Sequence, residues 1–572
     1  MRKLLSFIIV LALFGYGENS YSQKESITIY QANKILTIDP TMAEYEAVAV
    51  NIHGRIISVD TLNNLKDRFY NAEINYEFKD KVIIPGLIDP HVHMTLGAMM
   101  YGLDFIPPWE METPSGKVQG LSNKYDLLER IAELEKNAQD GPLILYGYHD
   151  LVQGGLSRED LDKISQTRPI FIWHYSGHDF YLNSAAIKKS NLSKKLANKF
   201  DGIGLNENGE LNGRIYEDAA LALFKTLAPE LMSPSHIKKG WEGYENILSR
   251  SGVTSVAEMG YGIFGIQTED FFTNNFYTEE DHYRLFQVPE HRAFNKEFGK
   301  NKIKKIIKLS KEKGRSARVL KQVKLFTDAA FYSQTMKMLE PGYIGGQSSG
   351  KTGLLVTEPN ELADTIKEYW DEGIDIHIHS NGDAAQNVTL DAFEKQAEGE
   401  KGQRFIIEHG GLFLPEQISK AARLGVGLSV ASHYVKYMGD DYKNAIGKKT
   451  QYITPLASAF KAGIHTTLHS DAPLAPPQPL VAASVHMTRK TRQGNISTPS
   501  ERITPVQALR AITIEAAWSL GLDKEIGSIA AGKRADFTIL DKNPLTTKAE
   551  EWPNIKIHGT FVNGVFKKIN IK

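Results

Sequence analysis

Short apolar runs typical of buried β-strands recur along the middle of the chain and alternate with helical patterns. This alternation favours βα units and a parallel sheet or barrel. Eight such runs can be counted, at residues 82–87, 253–257, 283–288, 323–327, 374–379, 405–409, 426–431 and 464–469. The gap between the first and second runs is far too long for one connecting helix. We therefore predict an α/β fold with a parallel sheet or barrel, and a large insertion, at about residues 96–235, after its first strand.

The two ends of the chain have a different pattern, in which shorter apolar runs are separated by turn residues such as Asn563-Gly564. Such runs indicate short antiparallel strands joined by tight turns. We predict that residues 23–84 and 527–572 fold together as one small β domain, which the family resemblance described below implies is a β-sandwich. Residues 85–526 would then form the barrel domain.

Composition narrows the classes of partner and of metal site. Lys+Arg 67 against Asp+Glu 68 gives a net charge of -1, so no nucleic-acid partner is expected. We expect a small-molecule substrate and leave a homodimer open. The absence of Cys among the 572 residues excludes disulfides, thiolate metal sites and a lipid-anchored cysteine. Any metal must therefore be held by His, Asp, Glu or a modified Lys.

The first residues have the pattern of a secretory signal. Positive charge at Arg2 and Lys3 precedes an apolar run, residues 4–14, that is too short to span a bilayer comfortably. Small residues at Ser20 and Ser22 suit cleavage before Gln23. We predict a signal peptide at residues 1–22 and a secreted or periplasmic protein without stable membrane insertion after cleavage; an uncleaved anchor is the alternative.

A His-x-His pair, His91 and His93, closes the first predicted barrel strand. Alternate strand residues point the same way, so both imidazoles can face one cation. With 17 His in the chain, about 0.5 such pairs would arise by chance, so the pair alone is weak evidence. Later strand ends carry further polar residues: Lys324, Asp328, His379, His409 and Asp471. If the barrel forms, these side chains converge at its mouth.

Several of these segments together resemble the amidohydrolase superfamily, specifically its YtcJ-like group of metal-dependent hydrolases (amidohydrolase 3). One is Pro-Gly-Leu-Ile-Asp-Pro-His-Val-His at residues 85–93. The others are residues 252–256, 323–328, 379–383, 408–409, 470–473 and 526–537, with Gly177-His178 and Asn183-Ser184 in the insertion. The resemblance covers most of the mature chain and implies a metal-carrying (β/α)8 barrel beside a small β-sandwich.

The resemblance also implies a set of metal ligands. One or two divalent cations, with Zn2+ expected, would be held by His91, His93, His379, His409 and Asp471. Lys324 would bridge two metals only as its carbamate (carboxylysine), because an ammonium would repel them. The alternative for Lys324 is an ion pair with Asp328 or Glu258. A metal-activated hydroxide would attack the substrate, and Asp471 would shuttle the proton.

The predicted reaction is hydrolysis of a non-peptide or simple amide C–N bond of a small molecule. The alternatives are a mononuclear zinc deaminase or cyclic-amidine hydrolase, a dipeptidase-like enzyme, and a non-catalytic binding protein. His178 and His433 are candidate substrate contacts, with Glu217 a weaker one. His377 is more typical of an interior or supporting histidine. For His469, a satisfied buried histidine and a substrate contact are equally compatible with the sequence. Trp109, Trp173 and Tyr175 would either wall a pocket or lie in the core.

The sequence also departs from the usual pattern of the group. Asp328-Ala-Ala stands where Asp-Gly-Ser is common, and Ala257-Glu258-Met259 stands where Asp is frequent. These departures leave the substrate open.

Overall fold

A computed structural model describes residues 26–199, 202–278, 281–396 and 402–569. The predicted signal peptide, residues 1–22, lies outside the described residues. Within the described ranges, no helix is both long enough and apolar enough to cross a membrane.

The strands are short and distributed over the whole described chain. In chain order they are β1 (Ile27–Leu36), β2 (Glu44–Asn51), β3 (Ile56–Asp60), β4 (Glu73–Pro85), β5 (Leu87–Val92), β6 (Asp104–Phe105), β7 (Met111–Thr113), β8 (Gly116–Val118), β9 (Leu143–Tyr148), β10 (Ile170–His174), β11 (Asp179–Leu182), β12 (Ile203–Leu205), β13 (Leu211–Tyr216), β14 (Val253–Tyr261), β15 (Arg284–Pro289), β16 (Arg318–Val319), β17 (Gln322–Phe326), β18 (Asp375–Ser380), β19 (Phe405–His409), β20 (Gly427–Ala431), β21 (Thr466–His469), β22 (Phe537–Leu540), β23 (Ile557–Val562) and β24 (Val565–Lys568).

Helices alternate with the strands of the middle region. They are α1 (Leu62–Arg68), α2 (Met94–Tyr101), α3 (Lys124–Asn137), α4 (Asp150–Gln153), α5 (Arg158–Asp162), α6 (Ser184–Lys189), α7 (Lys194–Ala197), α8 (Asp218–Leu231), α9 (Pro234–Arg250), α10 (Ile266–Phe276), α11 (His291–Phe298), α12 (Lys302–Lys311), α13 (Pro359–Trp370), α14 (Asp383–Glu394), α15 (Pro415–Arg423), α16 (His433–Met438), α17 (Tyr442–Ile446), α18 (Leu456–Lys461), α19 (Pro479–Thr488), α20 (Pro505–Ala511) and α21 (Ile514–Ser519).

Strands from both chain ends lie in one seven-stranded sheet of order β24-β23-β22-β4-β1-β2-β3. The ends meet where β22 pairs antiparallel with β4, with Phe537 opposite Pro85. Alternate apolar side chains of these strands, including Val48, Phe78 and Phe561, form a core of their own. The two terminal segments, which lie near opposite ends of the sequence, therefore pack together and stabilise each other.

The first predicted barrel strand, residues 82–87, is displaced in the structure. Residues 82–85 belong to β4 of the terminal sheet, and the parallel strand begins at Leu87. Gly86 separates the two strands where the backbone passes close to β14, since a Cβ there would lie 2.1 Å from Thr254 Oγ1. The run is apolar on both sides of Pro85 and Gly86, so its periodicity does not show that the two halves join different sheets.

The middle of the chain forms two parallel sheets, β16-β15-β14-β5 and β17-β18-β19-β20-β21. Their strands are almost wholly buried, as expected for parallel sheets covered on both faces. Isolated parallel bridges link the sheets at both sides, between Val92 and Ala472 and between Glu290 and Lys324. The carboxyl ends of these strands carry the candidate site residues.

The insertion has a six-stranded sheet of its own, with order β12-β13-β11-β10-β9-β6. The aromatic residues that the sequence placed in either a pocket or a core are buried. Trp173 stacks on Phe180 with ring centres 5.0 Å apart, and Trp109 lies 4.6 Å from Tyr175. Their surroundings are those of core residues.

Candidate metal centre

A cavity of about 1180 Å³, part of it open to solvent, lies at the carboxyl ends of the parallel strands. Its lining includes every residue predicted to hold metal: His91, His93, Lys324, His379, His409 and Asp471. These residues come from five different strand ends. The structure therefore brings the predicted ligand set to one place.

One group of potential ligands in this cavity consists of His91, His93 and Asp471. Asp471 Oδ1 lies 3.4 Å from His91 Nε2 and 3.3 Å from His93 Nε2. Ligand atoms about 2.1 Å from a tetrahedral zinc are about 3.4 Å apart. Asp471 also has a left-handed backbone, with φ 58°, an uncommon conformation that surrounding structure must hold in place. The three side chains have the spacing of metal ligands.

Glu408 contacts His91 and His377 through their Nδ1 atoms. Its Oε2 lies 2.7 Å from His91 Nδ1 and its Oε1 lies 2.5 Å from His377 Nδ1, and all three side chains are almost fully buried. Metal-binding histidines are commonly fixed through their second nitrogen in this way. Sequence reasoning gave Glu408 no role of its own, although a carboxylate inside an apolar strand, directly before His409, was a usable signal.

Nε2 of His91, the ring nitrogen that does not contact Glu408, tests whether a cation fits this site. Because Nδ1 faces Glu408, Nε2 is left buried and without a hydrogen-bond partner among the described residues. Buried polar atoms are rarely left unsatisfied. A cation between this nitrogen and Asp471 would satisfy it, so the donor set fits a divalent metal.

His93 is held differently. Its Nδ1 lies 3.1 Å from Glu258 Oε1, while Glu258 Oε2 accepts the backbone N–H of Met94. Burial lowers the pKa of His93, but the hydrogen bonds to Asp471 and Glu258 outweigh burial and raise this pKa to about 9. A cation bound by His93 would therefore have to replace a proton on this ring.

His379 and His409 lie on the other side of Asp471, with ring centres 4.5 Å apart. His409 Nδ1 is 3.7 Å from Asp471 Oδ2 and 3.1 Å from His469 Nε2. His379 Nε2 contacts the carbonyl oxygen of Ala329 at 3.1 Å, so a cation bound by that nitrogen would have to displace this contact. Burial lowers the pKa of His379 to about 3, which keeps the ring neutral as metal binding requires.

The supporting histidines share the interior of this region. Ser429 Oγ lies 2.7 Å from His469 Nδ1, so both nitrogens of His469 contact protein atoms. His377 lies one pleat deeper on β18 and contacts Glu408. Of the two interpretations considered for His469, the contacts favour a satisfied buried histidine.

Lys324 is almost fully buried, and its ammonium lies 5.3 Å from the centre of the Phe326 ring. Burial lowers the pKa of Lys324 to about 8, against the opposing effect of Glu408. The anticipated ion-pair partners are engaged elsewhere: Asp328 accepts backbone N–H groups from residues 337, 381 and 382, and Glu258 holds His93. A lowered pKa makes the neutral amine more available, and carbamate formation requires that amine.

His178 reaches the same cavity from the insertion. Its Nδ1 is 3.0 Å from Glu217 Oε2, and Thr335 Oγ1 donates to Glu217 Oε1 at 2.7 Å. Glu217 has a left-handed backbone, with φ 52°. Burial lowers the pKa of His178, but the Glu217 carboxylate outweighs burial and raises it. The apolar part of the lining includes Leu96, Phe224, Ile263, Phe264 and Leu474.

The other candidate substrate contact, His433, is not brought to the cavity. It begins α16, where the chain turns away from the strand end, and its ring stacks on Tyr332 with centres 5.5 Å apart. Neither ring nitrogen has a hydrogen-bond partner among the described residues. Burial lowers the pKa of His433 to about 3 and the charge of Asp471 opposes this effect, so the ring lies near the site, and its contact with substrate stays a prediction.

Comparison with known proteins agrees with this geometry. A family model described as "Amidohydrolase family" matches residues 78–566. The protein LONG AFTER FAR-RED 3 of Arabidopsis thaliana is 27% identical over 527 residues, covering 89% of this chain and 86% of the relative. The N-substituted formamide deformylase of Arthrobacter pascens is 24% identical over 570 residues, covering 96% and 99%. The putative amidohydrolase YtcJ of Bacillus subtilis is 25% identical over 545 residues, covering 91% and 95%.

Among solved structures, an uncharacterized metal-dependent hydrolase from Pyrococcus horikoshii has a TM-score of 0.68 and 20% identity. The alignment covers 92% of this chain and 99% of that chain. At this level of identity the likeness supports a shared fold.

Proposed function

The chain belongs to the amidohydrolase family, and from that premise we propose that it is a metal-dependent hydrolase cleaving a non-peptide or simple amide C–N bond of a small molecule. The observation that carries this proposal is the group of His91, His93 and Asp471, with the unsatisfied Nε2 of His91 directed at Asp471. The deformylase relative is named for removing a formyl group from a substituted nitrogen. The proposed bond type agrees with that name.

The barrel is part of the proposal. We infer that the two parallel sheets act as one (β/α)8 barrel, joined by the bridges between Val92 and Ala472 and between Glu290 and Lys324. Loops at the carboxyl ends of barrel strands form the active sites of such enzymes. The cavity occupies that end, and the insertion covers it.

The metal site would use His91, His93 and Asp471, with His379, His409 and the carbamate of Lys324 completing a binuclear arrangement. A divalent cation such as Zn2+ supplies an activated water and polarises the substrate carbonyl. Because Glu408 and Glu258 hold the two histidines through their Nδ1 atoms, the Nε2 atoms of both rings would be the ones to ligate a cation. If Lys324 stays an ordinary amine, the same residues describe the mononuclear alternative.

Side chains of this protein would transfer the proton and position the substrate. Although burial raises the pKa of Asp471, nearby His409 and the hydrogen bond from His93 lower it well below its usual value, so the side chain is ionised, which is the form that can receive a proton. Asp471 would take that proton from water and pass it to the leaving nitrogen. His178, oriented by Glu217, would donate a hydrogen bond to the substrate carbonyl oxygen. The apolar lining around Phe224 and Phe264 would hold an apolar substituent and exclude water.

The test is an activity screen of metal-depleted and zinc-reconstituted protein. The panel should contain N-substituted formamides, N-acyl amines, lactams, dipeptides and amino-substituted heterocycles. We expect turnover of an amide only after reconstitution, and an Asp471→Asn loss of about 10²- to 10⁴-fold in kcat. Full activity of the metal-free protein would refute the proposal. Turnover of dipeptides alone, or of amino heterocycles alone, would instead select the dipeptidase-like or deaminase alternative.

A further inference from the structure

One charged side chain in the lining of the cavity has no part in the reaction proposed above. It is Arg292, the second residue of α11, which begins just after β15 ends. Because β15 runs parallel to β14, its carboxyl end lies at the same mouth as the strand ends that carry the metal candidates. The Arg292 side chain is 46% exposed, so its guanidinium is in contact with solvent.

The carboxylates that line the cavity are engaged with groups other than Arg292. Apart from the candidate metal ligands, they belong to Glu217, Glu258, Glu269 and Asp328. The first two each contact a histidine, and the last two accept backbone N–H groups. Within the described part of the chain, Arg292 forms an ion pair with none of them.

Two contacts hold the guanidinium of Arg292 in place. Its Nε donates to Oε1 of Glu290 at 2.9 Å, and Oε2 of Glu290 accepts the backbone N–H of Ala293 at 2.7 Å. Its Cζ lies 4.6 Å from the centre of the Phe326 ring. Nη1 and Nη2 donate no hydrogen bond to any part of the chain that the structure describes. The terminal edge of the guanidinium is therefore fixed in position and open to a ligand.

A second cavity, of about 660 Å³ and also partly open to solvent, adjoins the first at Arg292. Arg292 and Phe326 are among the residues that line both cavities. The second cavity is also lined by Glu290, Lys296 and Glu361. A charged ligand group at Arg292 would keep contact with water at this junction, so the cost of desolvating its charge is small.

Phe326 connects the guanidinium to the candidate metal site. The centre of its ring lies 5.2 Å from the ring centre of His379 and 5.3 Å from Nζ of Lys324. Arg292 and two of the candidate metal ligands therefore surround the same phenyl ring. A small molecule with its amide at the metal candidates can reach Arg292 with another part of its structure.

We propose that Arg292 binds a carboxylate of the substrate, and that the substrate is an amide carrying a carboxylate as well as an apolar substituent. This inference rests on the proposed hydrolase function, since it adds a second contact for the same substrate. Nη1 and Nη2 present two parallel N–H groups, which match the two oxygens of a carboxylate. A monoanion fits better than a phosphate dianion, because the carboxylates of Glu290 and Glu361 line the adjoining cavity.

The experiment compares two hydroxamates on the full mature protein reconstituted with zinc. Both have a hydroxamate group, which binds zinc, and a methylene spacer. One ends in a carboxylate and the other in a neutral primary amide of nearly the same shape. Isothermal titration calorimetry gives the Kd of each over a series of spacer lengths. At the best length we expect the carboxylate to bind about 5- to 20-fold more tightly than the amide. High salt should reduce this preference.

Variants assign the preference to one side chain. Arg292→Gln should bring the ratio of the two Kd values close to one. Arg292→Lys keeps the charge but not the two parallel N–H groups, so it should retain part of the preference. Arg318→Gln is the matched control, because Arg318 is 50% exposed and pairs with Glu525 at 3.0 Å but does not line the cavity. Its ratio should equal that of wild type. Circular dichroism checks that each variant folds, and Arg292→Lys replaces Arg292→Gln if the latter does not.

Equal affinity of wild type for the two hydroxamates at every spacer length would overturn the proposal. So would a carboxylate preference that the folded Arg292 variants leave unchanged. Binding of neither hydroxamate would overturn the proposal together with the metal site on which it rests. Failure of the proposed metal site is therefore distinguishable from failure of the carboxylate contact alone.

Discussion

Replacing Glu408 by Gln tests whether the carboxylate behind the cavity histidines sets metal affinity. In the structure one carboxylate serves two rings, with Oε2 at 2.7 Å from His91 Nδ1 and Oε1 at 2.5 Å from His377 Nδ1. Gln keeps one acceptor oxygen and presents an amide N–H₂ to the other ring. One charge-assisted hydrogen bond is therefore lost, and a donor faces a donor.

The expected loss of metal affinity follows from the loss of this one hydrogen bond. A hydrogen bond to a charged group contributes about 1.5–3 kcal/mol. Removing a supporting partner of a metal ligand typically costs about 10- to 100-fold in metal affinity, or about 1.4 to 2.8 kcal/mol. The two values agree, so we expect Glu408→Gln to weaken zinc binding by about 10- to 100-fold.

Competition with a chromophoric chelator at fixed pH gives the affinity directly. Glu515→Gln is the control, because Glu515 Oε2 makes a contact of the same 2.7 Å length with His465 Nδ1, a ring that does not line the cavity. Its zinc affinity should stay at the wild-type value. An unchanged affinity in Glu408→Gln, or an equal loss in Glu515→Gln, would refute the role assigned to Glu408.

Three further results are expected. The pKa of His93 is raised to about 9 in the metal-free site, so this ring must lose a proton when zinc binds. The affinity for zinc should therefore rise about tenfold per pH unit below pH 9. A zinc affinity that does not change with pH in chelator competition would contradict this. Lys324→Gln should remove bicarbonate-dependent binding of a second zinc, which elemental analysis measures. Lys302→Gln is the control, because it changes a buried lysine that is paired with Glu368, and it should leave binding of the second zinc unchanged. Glu217→Gln should lower the pKa of His178, which NMR can measure, and should reduce kcat/KM on any identified amide. An unchanged pKa of His178 would exclude Glu217 as the residue that orients it.

Local pattern was sufficient for the elements that hold the site. The run Phe405–His409 is a strand at the predicted bounds, and the other predicted parallel strands after the first lie within a few residues of their predicted positions. A buried parallel strand is apolar along its length, so a His or Lys at its carboxyl end stands out in the sequence. That is why polar residues at the strand ends could be singled out before their distances were known, while the resemblance to the amidohydrolase superfamily selected six of them as metal ligands.

Contacts between distant segments were not predictable in the same way. That Glu408 lies between His91 and His377 depends on the register of β18 and β19, where His379 is opposite Glu408, and period-two alternation does not specify register. His433 lies close to a strand end, as predicted, and its ring stacks on Tyr332, while its contact with substrate stays a prediction.

The sequence alone thus determined which residue types stand at the strand ends and on which side of each strand they lie. Only the tertiary structure decided which carboxylate supports which ring, that His178 covers the cavity, and that Arg292 lines it. The physical reason is that alternation along a strand is a local property of the backbone. Register, loop path and the docking of the insertion are set by packing between segments far apart in the chain.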